Sequence, residues 1–262
     1  MSPNSSASPA SDFFKQLLGP DHGAHSPRSR ELLAIDAALC GRNVSTAVYS
    51  HSASPARTNY YDVVRDGTDG ILLVVADMLG ENVSIAHCAL QLRLSLRQRG
   101  DLLRSPGKML AHLNHMLLTL LAGANVLVSA QLVYFDRRKG AILVASAGHC
   151  PPLLACEGSG QLAEVYSDGS ILGLTQNPIF LEERMSSSRP ARLLMMTDGY
   201  VNAPTQSGEA LGTEKIGEAF LVAARHHRTA EDMRDTVALL ASPPIKPAQD
   251  QTFLLLAESP LL

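Results

Sequence analysis

Short apolar runs bounded by turn residues alternate along this chain with longer segments whose apolar residues fall at helical spacing. NVSTAVYS (43–50) and YYDVVRDG (60–67) follow the two-residue period of strands and end in turn residues. ILLVVAD, ending at Asp77, is a continuous apolar run. Asp66, Gly67, Asp69 and Gly70 supply the loop that makes it a hairpin with the preceding strand. Two helical segments follow, 81–100 and 105–123. Ser105 and Pro106 open the second, Gly123 closes it, and Leu110, Leu113, Leu117 and Leu120 form its apolar face.

NVLVSAQLVYFD and GAILVASAG, joined by RRKG, predict another hairpin. PPLLACEG and QLAEVYS read as shorter strands, and IFLEERMSS and ARLLMMTD as a further pair. Two amphipathic helices, at 213–226 and 228–241, lead to a last strand over 252–257. Hairpin-linked strands with helices grouped between them point to a largely antiparallel sheet protein with helices outside. A short helix is expected at 30–40. The first 30 residues, rich in Ser, Pro, Gly and His, are expected to be disordered, which leaves one domain over 31–262.

Composition narrows the function. The 262 residues are 45% hydrophobic with a net charge of −3, and the acids and bases are interspersed. A nucleic-acid footprint needs a clustered basic face, and a membrane span needs roughly 20 apolar residues, so neither partner is expected. The N-terminus lacks the basic start and apolar centre of a secretory signal. Four scattered cysteines (Cys40, Cys88, Cys150, Cys156) then favour reduced thiols in a cytoplasm. Cys150 follows His149, but neighbours on a strand point to opposite faces, a poor geometry for a nucleophile pair.

The candidate chemistry lies in acids at strand ends. Asp77 closes one apolar run, Asp198 closes RLLMMTD, and Asp250 precedes DQTFLLLAE. Carboxylates carried to the rim of a sheet are the hard ligands that Mg²⁺ and Mn²⁺ prefer. Asp62, inside a strand where acids are disfavoured, also needs a reason to be there. Two cations so held would bind a phosphate ester and convert a bridging water to hydroxide for in-line attack on phosphorus.

The ordered motifs RTNYYD (57–62), ADMLGEN (76–82), SAGHCPPLL (146–154), ILGL (171–174), TDGYVNA (197–203), SGEALGTEKI (207–216) and QDQTFLLL (249–256) carry a resemblance. Over about residues 44–258 the chain resembles the sporulation stage II protein E type of bacterial serine phosphatase, a branch of the protein phosphatase 2C (PPM) family. The resemblance implies two packed antiparallel β-sheets flanked by α-helices, an α/β fold of the α+β type. It implies an Mn²⁺- or Mg²⁺-dependent phosphatase acting on phosphoserine or phosphothreonine of a regulatory protein, of the anti-sigma-factor antagonist kind used in partner switching. Asp77 would bridge the two metals, with the Met78 carbonyl as a further ligand. Asp198 and Asp250 would complete the site, with Asn59 and Asp62 orienting waters. Arg57 stands where it would contact the phosphate, and a homodimer is an arrangement open to such a protein.

The departures from the family pattern open a second reading. Asn59 and Gln249 stand where the family has acids, Arg57 and Thr58 replace two glycines, and the D-x-x-G block lacks its His and second Gly. Each acid lost removes a full charge from the cation site. The alternative is a binding or regulatory module that keeps the phosphatase fold with a decayed metal site.

Overall fold

The computed structural model describes residues 43–51, 57–80, 82–120, 126–157, 160–186, 190–205, 207–240 and 250–259. The predicted helix at 30–40 and the N-terminal 30 residues lie outside the described residues. Among the described residues ten strands form two antiparallel sheets. The first sheet holds β1 (Asn43–His51), β6 (Leu153–Cys156), β7 (Leu162–Glu164), β9 (Ala191–Met196) and β10 (Gln251–Ser259), in the order β1-β10-β9-β6-β7. The second holds β2 (Arg57–Asp66), β3 (Gly70–Leu79), β4 (Leu127–Asp136), β5 (Ala141–Ala147) and β8 (Glu183–Ser186), in that order. The helices are α1 (Asn82–Gln98), α2 (Pro106–Leu120), the single turn α3 (Asp198–Val201), α4 (Gly212–His226) and α5 (Ala230–Leu240).

The two-residue period of strands assigns each side chain a layer. On the second sheet Tyr60, Leu72, Val74 and Leu132 pack against Leu92, Leu96, Leu110 and Leu113 of α1 and α2. On the first, Leu194, Met196, Phe253 and Leu255 pack against Ile216, Phe220, Met233 and Val237 of α4 and α5. Between the sheets, Val75, Val133 and Val144 meet Leu193, Met195, Leu254 and Leu256. Each such side chain, fully buried, contributes about 1.5–3 kcal/mol. The result is the expected sandwich, with a helix layer outside each sheet.

One expected pairing is corrected. The strands predicted from IFLEERMSS and ARLLMMTD do not form a hairpin: β8 pairs with β5 in one sheet, while β9 lies between β10 and β6 in the other. Burial explains the separation. Every residue of β9 is buried, whereas β8 presents exposed Glu183, Arg184 and Ser186. An apolar run takes a central place, and a charged strand closes an edge.

Candidate active site

At one end of the intersheet layer the apolar packing gives way to polar groups. Asn59 of β2 stands directly opposite Asp77 of β3, which in turn faces Ser129 of β4. Paired residues share a face, so the inner row of valines and leucines ends in an amide, a carboxylate and a hydroxyl. From the other sheet come Thr197, just past β9, and Thr252 of β10. The Thr252 amide donates to Thr197 Oγ1 at 3.1 Å, and Thr197 Oγ1 donates to the Thr252 carbonyl at 3.3 Å. Asn59 Nδ2 ties the sheets together, donating to Thr197 Oγ1 at 3.2 Å and Thr252 Oγ1 at 3.0 Å. Ser50 Oγ shares a further bond with Thr252 Oγ1 at 3.1 Å.

Asp198 opens α3 at the mouth of this layer and is exposed. Thr197 precedes it in an extended conformation (φ −89°, ψ 157°) without capping the helix through its side chain. Its hydroxyl is already engaged by Thr252 and Asn59.

The segment after β5 completes the cluster. The strand stops at Ala147, and Gly148 turns the chain at φ +64°. His149 and Cys150 therefore leave the strand period, and both reach the β9 end. The Cys150 thiol donates to the Met196 carbonyl at 2.7 Å. Burial pushes that thiol well above its ordinary pKa, reinforced by the Asp198 carboxylate and, more weakly, by Asp77. Asp77 of β3 and Asp198 at the start of α3 thus lie beside the same sulfur. His149 is buried, and its Nδ1 lies 2.9 Å from Ser129 Oγ. Burial lowers its pKa to about 4, against the opposing pull of Asp198 and the Met196 carbonyl. Its backbone is braced by Ser146 Oγ, which accepts from the His149 amide and donates to the His149 carbonyl, both at 3.1 Å.

The other expected site residues fall as follows. Met78 is fully buried among the residues facing α1 and α2. Asp250 is 5% exposed immediately before β10, two residues from Thr252. Arg57 begins β2 opposite Leu79, and its side chain lies outside the described residues. Asp62 is not brought to the site. It lies on the helix-facing side of β2, where Arg97 of α1 donates to both its oxygens at 2.8 Å and the Tyr60 hydroxyl donates to Oδ2, also at 2.8 Å. The acid inside a strand therefore belongs to an ion pair with α1 and cannot orient waters beside Asp77.

Ser129, Thr197 and Thr252 are the polar residues that sequence reasoning missed, and Cys150 was weighed only as a partner for His149. Their available signals were the Gly before His149 and the threonines embedded in the T-D-G and D-Q-T blocks.

The residues suit a hard cation in kind more than in number. The donors are carboxylate and amide oxygens, and Asn59 Oδ1 is buried without a hydrogen-bond partner. Among the described residues, however, no three His, Cys, Asp or Glu side chains are grouped to hold an ion, so Asp250 does not complete a trio with Asp77 and Asp198. Gln249 and Glu81 lie outside the described residues. Among the described residues the acid set for a pair of metals is not assembled.

The sequence profile of Stage II sporulation protein E (SpoIIE) matches residues 67–258. No curated protein matches the chain significantly. The RsbU and RsbW domains of Rv1364c from Mycobacterium tuberculosis superpose with a TM-score of 0.67 at 22% identity, covering 84% of this chain and 61% of that one. The SiaA-PP2C domain of Pseudomonas aeruginosa gives 0.64 at 18% identity, covering 81% and 85%. The PP2C phosphatase domain of SpoIIE from Bacillus subtilis, solved with a fragment of its regulatory domain, gives 0.64 at 13% identity, covering 86% and 66%. The structural likenesses establish a common fold, and the profile match over most of the chain places it in the SpoIIE-like branch of the PP2C/PPM phosphatase family.

Proposed function

We propose that this chain is a metal-dependent phosphatase acting on phosphoserine or phosphothreonine of a regulatory protein, in partner-switching signalling. The observation that carries the reading is that Asp77 near the end of β3 and Asp198 just past β9 both lie beside the Cys150 thiol, which is fixed on the Met196 carbonyl at one end of the intersheet layer. Family membership supports the reaction class.

A phosphate ester beside two carboxylates is repelled unless positive charge intervenes. A Mn²⁺ or Mg²⁺ ion bound by Asp77 and Asp198, with Asn59 Oδ1 and the Met78 carbonyl as neutral donors, would neutralise that charge and polarise the phosphoryl oxygens. The chain's own groups set the surroundings. Cys150 holds its proton on the Met196 carbonyl, and His149 stays neutral near pH 7, so neither adds charge to the site. The hydroxyls of Ser129, Thr197 and Thr252 fix Asn59 and His149 in place. An ion so held would also supply a water of lowered pKa as the nucleophile. We place the protein in the cytoplasm, where its phosphoprotein partner would be met; among the described residues no helix is long and apolar enough to cross a membrane.

A second reading, a phosphatase-fold binding module, is favoured by the Asn59 amide spent on two threonines and by the absence of a three-acid group among the described residues. Hydrolysis of an aryl phosphate and of a phosphoserine peptide, measured across a Mn²⁺ titration, separates the two. Turnover that rises with Mn²⁺ and disappears in Asp77→Ala supports the enzyme. Absence of turnover at millimolar Mn²⁺, with no calorimetric binding of the ion, establishes the module instead.

A further inference from the structure

The far end of β9 holds a second polar site of the opposite charge. Arg192 is only 1% exposed, one of the largest fully buried side chains. It projects to the helix-facing side of its sheet, where its strand neighbours are Ala155 of β6 and Ala257 of β10. Two alanines leave room for a guanidinium. Arg192 Nη1 donates to the carbonyls of Ala191 (3.3 Å) and Glu258, while its Nε is buried without a partner. A buried donor without a partner is costly, so the position calls for an acceptor.

Arg192 borders a cavity of about 390 Å³ beneath the C-terminal end of α4. Its other charged or titratable walls are Arg225, His226, His227, Arg228, Glu157 and Cys156. Arg225 reaches over Gly160, where a Cβ would lie 3.5 Å from Nη2. The His227 ring is fixed by Thr236, with Nε2 and Oγ1 2.7 Å apart. Three arginines and two histidines thus line the cavity beside one carboxylate, Glu157, and Glu157 and Glu258 both act on Arg192. Arg225 and His226 sit in the last turn of α4, where cations oppose the helix dipole. That accounts for those two, and not for the buried Arg192.

We propose that this cavity binds the phosphate group of a small molecule. Guanidinium forks match phosphate oxygens in pairs, and clustered arginines are its usual recognition element. The volume lies within the range of small-ligand sites, and Leu221 and Ala224 add an apolar wall for the remainder of such a molecule. The site is separate from the acidic one, since the span of β9 from Arg192 to Met196 alone is about 13 Å at strand rise.

The test follows the ring resonances of His226 and His227 by NMR while inorganic phosphate, adenosine monophosphate or malonate is added. Arg225→Gln and Arg228→Gln replace exposed side chains, so folding is retained, as a thermal melt verifies. Both phosphates should shift the two rings, with affinity about tenfold weaker in each variant, and Asp77→Ala should bind as the parent does. Tighter binding of the nucleotide identifies an organic phosphate as the ligand, and equal binding identifies free phosphate. Ring shifts absent at tens of millimolar phosphate, equally strong with malonate, or unchanged in both variants would overturn the proposal.

Discussion

Asn59 and Asp77 face each other across neighbouring antiparallel strands, and the amide oxygen of Asn59 is buried there without a hydrogen-bond partner. An acid in place of that amide would set two carboxylates side by side. Asn59→Asp should therefore melt lower than the parent in the absence of divalent ions and gain more from added Mn²⁺. The cation then relieves a repulsion as well as binding. Thermal melts with and without Mn²⁺ check this, and an equal Mn²⁺ response in the two proteins would mean that charge does not limit binding.

His149 makes stability depend on pH. In the unfolded chain a histidine takes up its proton near pH ~6.5, whereas the folded ring does so only at about 4. Between these values the unfolded state binds more protons, so stability is full above the unfolded value and falls as pH drops toward the folded one. The loss is at most about 3 kcal/mol. Urea melts at neutral and mildly acidic pH should show it, and His149→Gln should flatten the dependence.

The Cys150 thiol should resist alkylation. Burial and the two nearby carboxylates hold it protonated, and the thiolate is the reactive form. Mass spectrometry after iodoacetamide treatment at mildly alkaline pH should find Cys150 unmodified in the native protein and modified once it is denatured.

Asp62 is expected to matter for stability and not for turnover. Its partner Arg97 is 40% exposed, so the ion pair itself is worth up to about 1 kcal/mol. Asp62→Ala also strips the buried Tyr60 hydroxyl of its acceptor, raising the expected cost to about 1–3 kcal/mol. Phosphatase assays and denaturant melts on one preparation separate the two effects.

Gly148→Ala tests the turn that brings His149 and Cys150 to the β9 end. The left-handed backbone costs a side chain about 1–2 kcal/mol, and the added Cβ would fall 2.7 Å from Ile171 Cγ1. Destabilisation should come with easier alkylation of Cys150, as the segment swings away from Met196.

Strand periods were legible in the sequence because burial is nearly complete in β3, β4 and β9, and apolar runs of that kind leave little choice. Partner choice was not. β8 follows its loop into the other sheet because its exposed charges suit an edge, a distinction that adjacency in the chain does not encode. Asp77 and Asp198 were visible as acids at the ends of apolar runs. Cys150 was discounted by a strand rule that ends at Ala147, one residue before a positive φ. Asp62 was misread because its reason for lying in a strand, Arg97, sits 35 residues away on a helix.

The hydroxyls and the amide that join the two sheets carry no net charge. Folding at that end of the sandwich therefore sets no pair of anions against each other through Asn59, and the native state there needs no ion to become stable. A chelator should leave the tertiary structure standing, with the same melting curve before and after treatment.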